Sequence, residues 1–171
     1  MFVLNLIVAV DKNWGIGKDN RLLVSIPQDM KFFRETTSDS VVIMGRKTLE
    51  SLPGGKPLQK RINIVISSDM DYVVTGAVVV HSINQAIAEA KKYKNKKVFV
   101  IGGASIYRQM LPYCDFAYVS KIEHEFDADT YFPNLDEMGN WEIESESEEY
   151  MFKDIGFRFV KYKNNSSNLT N

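Results

Sequence analysis

Val41-Val42-Ile43-Met44-Gly45-Arg46-Lys47-Thr48-Leu49-Glu50-Ser51-Leu52 runs from an unbroken apolar stretch through a glycine into a polar segment that suits a short helix. An apolar run without alternation is what a strand covered on both faces requires, and such strands belong to parallel sheets packed between helices. The same pattern recurs in both directions. Arg61 to Ser68 predicts another buried strand, Ala77 to Val80 a further one, and Lys97 to Ile101 another, which Gly102-Gly103-Ala104-Ser105 turns into a helix stopping near Pro112. Phe2 to Val10 opens the chain as a strand, and Phe116 to Ile122 is strand again. Ser82-Ile83-Asn84-Gln85 has capping-box spacing and starts a helix through about Tyr93, with Ile83, Ala86, Ile87 and Ala90 on one face.

Past Ile122 the texture changes. Trp141 to Glu149 and Gly156 to Lys163 alternate residue by residue, which suits an antiparallel pair at the end of a sheet. The fold class is therefore α/β, a single domain with a central, mostly parallel sheet flanked by helices and an antiparallel C-terminal strand pair. Residues 1–163 are assigned to that domain, and 164–171 to a polar tail expected to be disordered.

Composition agrees with one domain and removes several function classes. The chain has 171 residues, 44% hydrophobic and 25% charged, enough for a sizeable core. A formal net charge of −1 gives no global pull toward nucleic acid or acidic membranes, so an anionic ligand must be held by local groups. Basic residues do not interleave with aromatics in any stripe, so no nucleic-acid surface is expected. One cysteine, Cys114, excludes an internal disulfide framework and reads as a small buried hydrophobe. With only His81 and His124 beside it, no metal site is expected. Met1 to Val10 lacks the basic start of a signal peptide, and no apolar stretch approaches the roughly 18 to 20 residues of a membrane span. A cytoplasmic protein is expected.

The stretch Leu22-Leu23-Val24-Ser25-Ile26-Pro27-Gln28-Asp29-Met30-Lys31-Phe32-Phe33-Arg34 predicts a helix start, from the Ser25-x-x-Gln28 spacing and Pro27. Ile26, Met30, Phe33 and Thr37 fall on one stripe, and Asp29 lies beside it. Asp29 reads either as a solvated first-turn acid or as a carboxylate in a pocket wall, desolvated and able to grip a ligand. Upstream, Asp11 to Asn20 is long for a strand-to-helix loop; it is either a passive surface loop or a lid with Gly15 and Gly17 as flexible points, and Trp14 favours cover for something.

Two strand-to-helix turns, at Gly45-Arg46-Lys47-Thr48 and at Gly102-Gly103-Ala104-Ser105, present backbone N–H groups and glycines in the way phosphate sites do. Two such turns in one α/β domain suggest a dinucleotide across the strand ends, although neither is a Gly-x-Gly-x-x-Gly fingerprint. The alternatives are a crowded helix start for the glycines and a solvated basic pair for Arg46 and Lys47.

Ile26-Pro27-Gln28-Asp29, Val42 to Ser51, Val100 to Tyr107 and Asp129-Thr130-Tyr131-Phe132-Pro133 stand in the order and spacing of dihydrofolate reductases, a resemblance running from Phe2 to about Tyr162. The resemblance implies NADPH-dependent reduction of dihydrofolate, with hydride going to pterin C6 and a proton to N5. It places Asp29, Ser120 and Leu22 at the catalytic centre, with the Ser120 hydroxyl supporting the Asp29 carboxylate. For the substrate it implies Ile7, Val8 and Ile101 at the pterin, Phe33, Arg34, Leu52 and Leu58 along the aminobenzoyl slot, and Arg61 forked onto the glutamate α-carboxylate. For NADPH it implies Ala9, Ile16 and Gly17 near the nicotinamide. Gly45, Arg46, Lys47, Thr48, Ser67, Ser68 and His81 would surround the phosphates and adenosine, and Gly102, Gly103, Ala104, Ser105, Ile106 and Tyr107 the pyrophosphate, with a cis Gly102-Gly103 bond. Antifolate inhibitors would be further ligands, and a monomer is expected.

The chain departs from that family at Ser120, where threonine is usual, and in two further places. Leu23-Val24 stands where the family commonly has Pro-Trp, and Val24 has no indole N–H to hold a water near the pterin. Ser105 stands where related enzymes often carry a basic residue, which implies a weaker grip on the 2′-phosphate. A same-fold reductase of another pterin or pyrimidine, or a catalytically impaired nucleotide-binding relative, remains the alternative.

Overall fold

Neighbouring residues of a strand point to opposite faces, so an unbroken apolar strand needs cover on both. In the computed structural model, which describes residues 1–167, the strands read this way form the middle of the sheet. β1 (Leu4–Val10) lies between β6 (Val98–Gly102) and β7 (Phe116–Ile122), and beyond β6 come β3 (Val41–Gly45), β4 (Ile62–Ile66) and β5 (Ala77–Val80), every adjacent pair parallel. Along β3 the alternation is visible in the packing. Val41 and Ile43 join the larger cluster with Leu4, Leu6, Ile64 and Val100, whereas Val42 and Met44 join Leu49 and Val65 on the other face.

The helices follow from the same periodicity. α1 (Pro27–Thr37), α2 (Arg46–Ser51), α3 (Ile83–Ala90) and α4 (Ala104–Met110) connect the strands, and α3 buries Ala86, Ile87 and Ala90 as its spacing requires. Ser82 caps it by accepting from the Gln85 N–H, but the Gln85 side chain accepts from the His81 N–H rather than closing the expected box. α1 differs more. Pro27 does start it, yet Ile26 is the cap residue, no side chain caps it, and the Ser25 hydroxyl points to Met30 Sδ instead. Met30 is half exposed, so the buried edge of α1 is Ile26 and Thr37, with Phe32 stacked on Phe159 at 4.3 Å between ring centroids.

At the other end of the sheet the antiparallel region has one strand more than the alternation suggests. β9 (Trp141–Glu146) ends early, β10 (Tyr150–Phe152) follows a short break, and both pair with the long β11 (Ile155–Asn164), which itself lies antiparallel to β7. β11 passes the expected boundary at 163. Asn164 is buried, its amide donating to the Cys114 carbonyl at 2.9 Å and its carbonyl oxygen accepting from Asn140 and Ser166. Asn165 N–H donates to the Asn140 carbonyl at 2.8 Å, and of the expected tail residues 168–171 lie outside the described residues. Cys114 is fully buried, and burial raises its thiol pKa.

The polar loop after β1 is anchored inward. Asp11 is buried and its carboxylate accepts N–H bonds from Asn13, Gly15 and Phe126. β2 (Gly15–Gly17) pairs with β8 (Thr130–Tyr131), and Trp14 is buried against Phe132 at 6.1 Å. Trp14 is therefore part of the core, not a cover over a site.

Asn63 interrupts β4 with a polar side chain and is nevertheless buried. Its Oδ1 accepts from Leu58 N, and its Nδ2 donates to the Leu58 and Arg61 carbonyls at 2.9 and 3.2 Å, so one amide fixes the loop before the strand. Asn63→Ala strands those groups, which costs about 2 kcal/mol, and thermal unfolding should occur about 4–8 °C lower. An unchanged melting temperature would show that solvent replaces the amide there.

Candidate active site

The parallel ladder between β1 and β6 ends at Leu6 opposite Val100, although β1 continues to Val10 and β6 to Gly102. On its other side β6 skips Ile101, because Ile43 pairs with Val100 and Met44 with Gly102. The two central strands thus part at their carboxyl ends, where open α/β sheets bind ligands. The Tyr107 hydroxyl reaches across and donates to the Ile7 carbonyl at 2.7 Å, fully buried, and burial raises its pKa.

On the other side of β1 the pairing continues, setting Ala9 beside Ser120 and Ser120 opposite Phe159. These residues form a row across β1, β7 and β11, and α1 lies over it. Phe32 covers Phe159, and one turn earlier Asp29 meets Ser120, whose hydroxyl donates to Asp29 Oδ1 at 2.5 Å. Burial pushes the Asp29 carboxyl above its ordinary range, while the bond from Ser120 pulls it back toward ionisation. No ion pair offsets that burial among the described residues. The pocket-wall reading of Asp29 is the one the geometry favours. Ala9, Ile16, Leu22, Val24 and Asp29 line one narrow cleft with Phe126, which brings together residues expected around a cofactor and around a substrate. Leu22 stands largely exposed at its rim, and Val24 packs with Ile26 and Ile122.

From Asp29 the slot follows α1. Ile101, Leu52 and Leu58 are partly buried together beside Met44, and the Arg61 guanidinium lies 5.9 Å from the Phe33 ring centroid. Arg61 contacts the Arg34 carbonyl only at 3.5 Å, and its buried Nε has no hydrogen-bond partner among the described residues. Desolvation and the nearby Arg34 charge both lower its pKa, so the guanidinium is short of an anion. Asn63, which tethers Leu58 and the Arg61 backbone, is the positioning residue that pattern reading overlooks; its signal is an amide in the middle of Ile-Asn-Ile-Val-Ile.

The two glycine turns come together. A Cβ on Gly45 would lie 3.1 Å from Ile106 and 4.0 Å from Gly103 N, and one on Gly102, whose φ is +137°, would lie 3.3 Å from Thr48 Oγ1. The starts of α2 and α4 therefore share a seam that side chains would fill, and the Gly102-Gly103 bond is cis as expected. Lys47 and Ser105 are exposed there, with Ser105 Oγ accepting from Gln109. Farther out, Arg46 pairs with Glu50 at 2.8 Å and Asp69 at 3.5 Å and lies over Tyr72, partners the motif reading did not include. Ser67 is buried with its hydroxyl on Asp69 N, His81 Nδ1 meets the Ser67 carbonyl at 2.8 Å, and Ser68 is exposed. Val8 and Gly17 are buried in the frame rather than open to the cleft. Among the described residues no group of acids, histidines and cysteine is arranged to hold a metal ion.

Known proteins share this arrangement. The dihydrofolate reductase family model matches residues 3–164. The dihydrofolate reductase of Bacillus subtilis (strain 168) is 42% identical over 143 residues, 84% of this chain and 82% of that protein, and that of Neisseria gonorrhoeae is 36% identical over 95% of this chain and 98% of its own. A solved dihydrofolate reductase from Enterococcus faecalis, complexed with NADP(H) and RAB-propyl, superposes with a TM-score of 0.86 at 34% identity and covers 95% of this chain. Sequence and fold converge over nearly every described residue, and the chain belongs to the dihydrofolate reductase family.

Proposed function

We propose that this protein reduces 7,8-dihydrofolate to 5,6,7,8-tetrahydrofolate with NADPH, and that it does so as a cytoplasmic monomer open to antifolate inhibitors. The observation that carries the reading is the partly buried Asp29 bonded to Ser120 in the same cleft as Ala9 and Ile16. An ionised carboxylate in that position accepts two parallel hydrogen bonds from an amino-pyrimidinone edge and orients the pterin. The diverging ends of β1 and β6 offer the Ile7 and Ile101 carbonyls to the same ring, and Tyr107 fixes the first of them. Phe33, Leu52 and Leu58 exclude water from the aminobenzoyl group, and the under-partnered Arg61 takes the α-carboxylate. No helix among the described residues is long and apolar enough to cross a membrane.

The starts of α2 and α4 approach this closely only because Gly45, Gly102 and Gly103 carry no side chains, and two glycine-bearing strand-to-helix turns side by side are the donor chemistry that a pyrophosphate such as that of NADPH requires. Lys47, Thr48 and Ser105 would flank its phosphates, and Arg46 with Ser67, Ser68 and His81 its adenosine end. The chemistry that NADPH contributes when bound is one hydride for pterin C6. What the chain itself contributes is orientation, exclusion of water, and at Asp29 a carboxyl whose hold on a proton is strengthened by burial.

Asp29→Asn should lower turnover of dihydrofolate by about 100- to 10,000-fold, with NADPH binding retained when followed by fluorescence titration. Because burial raises the folded-state pKa of Asp29, its ionised form weakens the fold, and the stability present at low pH is lost as pH rises through that pKa. The Asn variant should therefore melt higher than the parent at neutral pH and equal to it in acid. Turnover intact in the variant would remove Asp29 from the mechanism.

Ser120→Ala removes the bond that favours the ionised carboxylate. The limb of the pH–rate profile governed by Asp29 should move to higher pH, and a fixed limb would separate the two residues functionally. Val24→Trp narrows the cleft beside Asp29 and adds an N–H donor. Both the pH–rate profile and antifolate affinity should change; if neither does, Val24 has no part in proton delivery.

A further inference from the structure

β1 and β7 stay paired as far as Val10 and Lys121. Beyond that register the two chains run on into segments that each supply cleft residues, Gly15 and Ile16 from one and Phe126 from the other. A backbone bond from Lys12 N–H to the His124 carbonyl at 3.1 Å ties their beginnings, and pairing resumes only where β2 meets β8. Between these two points the segments meet on one side chain. Asp11 Oδ1 accepts from the N–H groups of Asn13 at 2.9 Å and Gly15 at 2.7 Å, and Oδ2 accepts from Phe126 N–H at 3.1 Å. Asp11 is 3% exposed, and no cation pairs with it among the described residues. Gly15 is pressed onto the same group: a Cβ there would lie 3.0 Å from each Asp11 carboxylate oxygen and 2.7 Å from Ala128 Cβ. The loop therefore has no slack against either the carboxylate or the segment that carries Phe126. Asp29 handles the ligand, which leaves this second buried acid without a part in the reaction as described.

We propose that Asp11 is a positioning residue for the reaction: its one carboxylate spaces Ile16 from Phe126 and so sets the cleft in which the nicotinamide meets the pterin. The inference rests on the reading of Ala9 and Ile16 as neighbours of the nicotinamide. Two acceptor oxygens on one rigid plane are what the arrangement needs, since each oxygen serves a different segment. An amide in the same place keeps one oxygen and turns an N–H donor toward an N–H, so it can hold one segment but not both. Transfer between bound groups demands reacting atoms within about 3–3.5 Å of each other, and small displacements of the walls that align them are costly in rate. Asp11 acts through Gly15 and Phe126, which is why its effect should fall on the cofactor side of the cleft and not on Asp29, held separately by Ser120.

The test measures, for the parent and for Asp11→Asn, the NADPH Kd by fluorescence titration, the dihydrofolate Kd of the cofactor-free protein, kcat at saturating NADPH, and the melting temperature. NADPH affinity and kcat should each fall about 10- to 100-fold, while the dihydrofolate Kd stays unchanged. Gly15→Ala leaves the carboxylate in place but forces the loop away from it, so it should reproduce the same split. The double variant should be little worse than either single one, because both break one contact. Should Asp11→Asn fail to fold, Gly15→Ala carries the test by itself. A lowered melting temperature with NADPH Kd and kcat per folded molecule unchanged would show a purely structural acid and overturn the proposal, as would losses that multiply in the double variant or an equal loss of dihydrofolate affinity. A parent protein that binds NADPH but leaves dihydrofolate unreduced would instead sink the reading of the activity, and the NADPH Kd of the variants would still decide the role of Asp11.

Discussion

The separation of β1 from β6 beyond Leu6 and Val100 is the constraint on which the rest of the site depends. Parallel strands in a buried sheet pair along their length unless something holds them apart, because every unpaired backbone group inside costs free energy. Here the gap is held by the bulge that skips Ile101, by the glycine turn after β6, and by the Tyr107 hydroxyl on the Ile7 carbonyl. Tyr107 in turn packs edge-on against Phe132, which stacks with Trp14. The opening is therefore braced by the hydrophobic core itself, and the loop carrying Trp14 is part of the brace.

Asp29 shows competing effects of different size. A carboxylate in the first turn of a helix gains about 0.3–1 kcal/mol from the dipole, and the Ser120 bond favours ionisation as well. Desolvation outweighs both, since the net shift is upward. A carboxyl whose pKa is raised by burial is unfavourable for folding when ionised and suited to handling a proton. The backbone pairing of β7 with β1 and β11 fixes Ser120, so the carboxylate is tuned by the most regular part of the sheet.

Most of the architecture was legible because it depends on patterns with a definite period. Continuous apolar runs marked the parallel strands, alternation marked β9 and β11, and glycines after β3 and β6 marked the turns. What escaped were features set by tertiary partners. Met30 lies on the apolar stripe by spacing yet faces solvent, because Phe32 docks on Phe159 and rotates the buried edge toward it. Ser25 has the spacing of a cap and lacks the geometry, since the helix starts at Pro27 and Ile26 therefore occupies the cap position. Asn164 reads as the first residue of a polar tail, and only the Cys114 carbonyl across the sheet makes it structural. The short break that creates β10 carries no residue that a strand pattern excludes.

Charge is distributed by the same logic of local partners. At the adenosine end, Arg46 is engaged by Glu50 and Asp69, so its positive charge is partly answered before any phosphate arrives. Where the proposed function puts the glutamate of the substrate, Arg61 sits beside Arg34 with a lowered pKa and has no counter-ion among the described residues. Exposed pairs such as Arg46–Glu50 are weakened by solvent screening, so a ligand phosphate would displace them at small cost. A desolvated guanidinium without a partner gains far more from the carboxylate that fills its place. On the proposed function the two ends of the site therefore differ, with an exchangeable network around Arg46 and an under-partnered cation at Arg61, and discrimination should be stricter at the second.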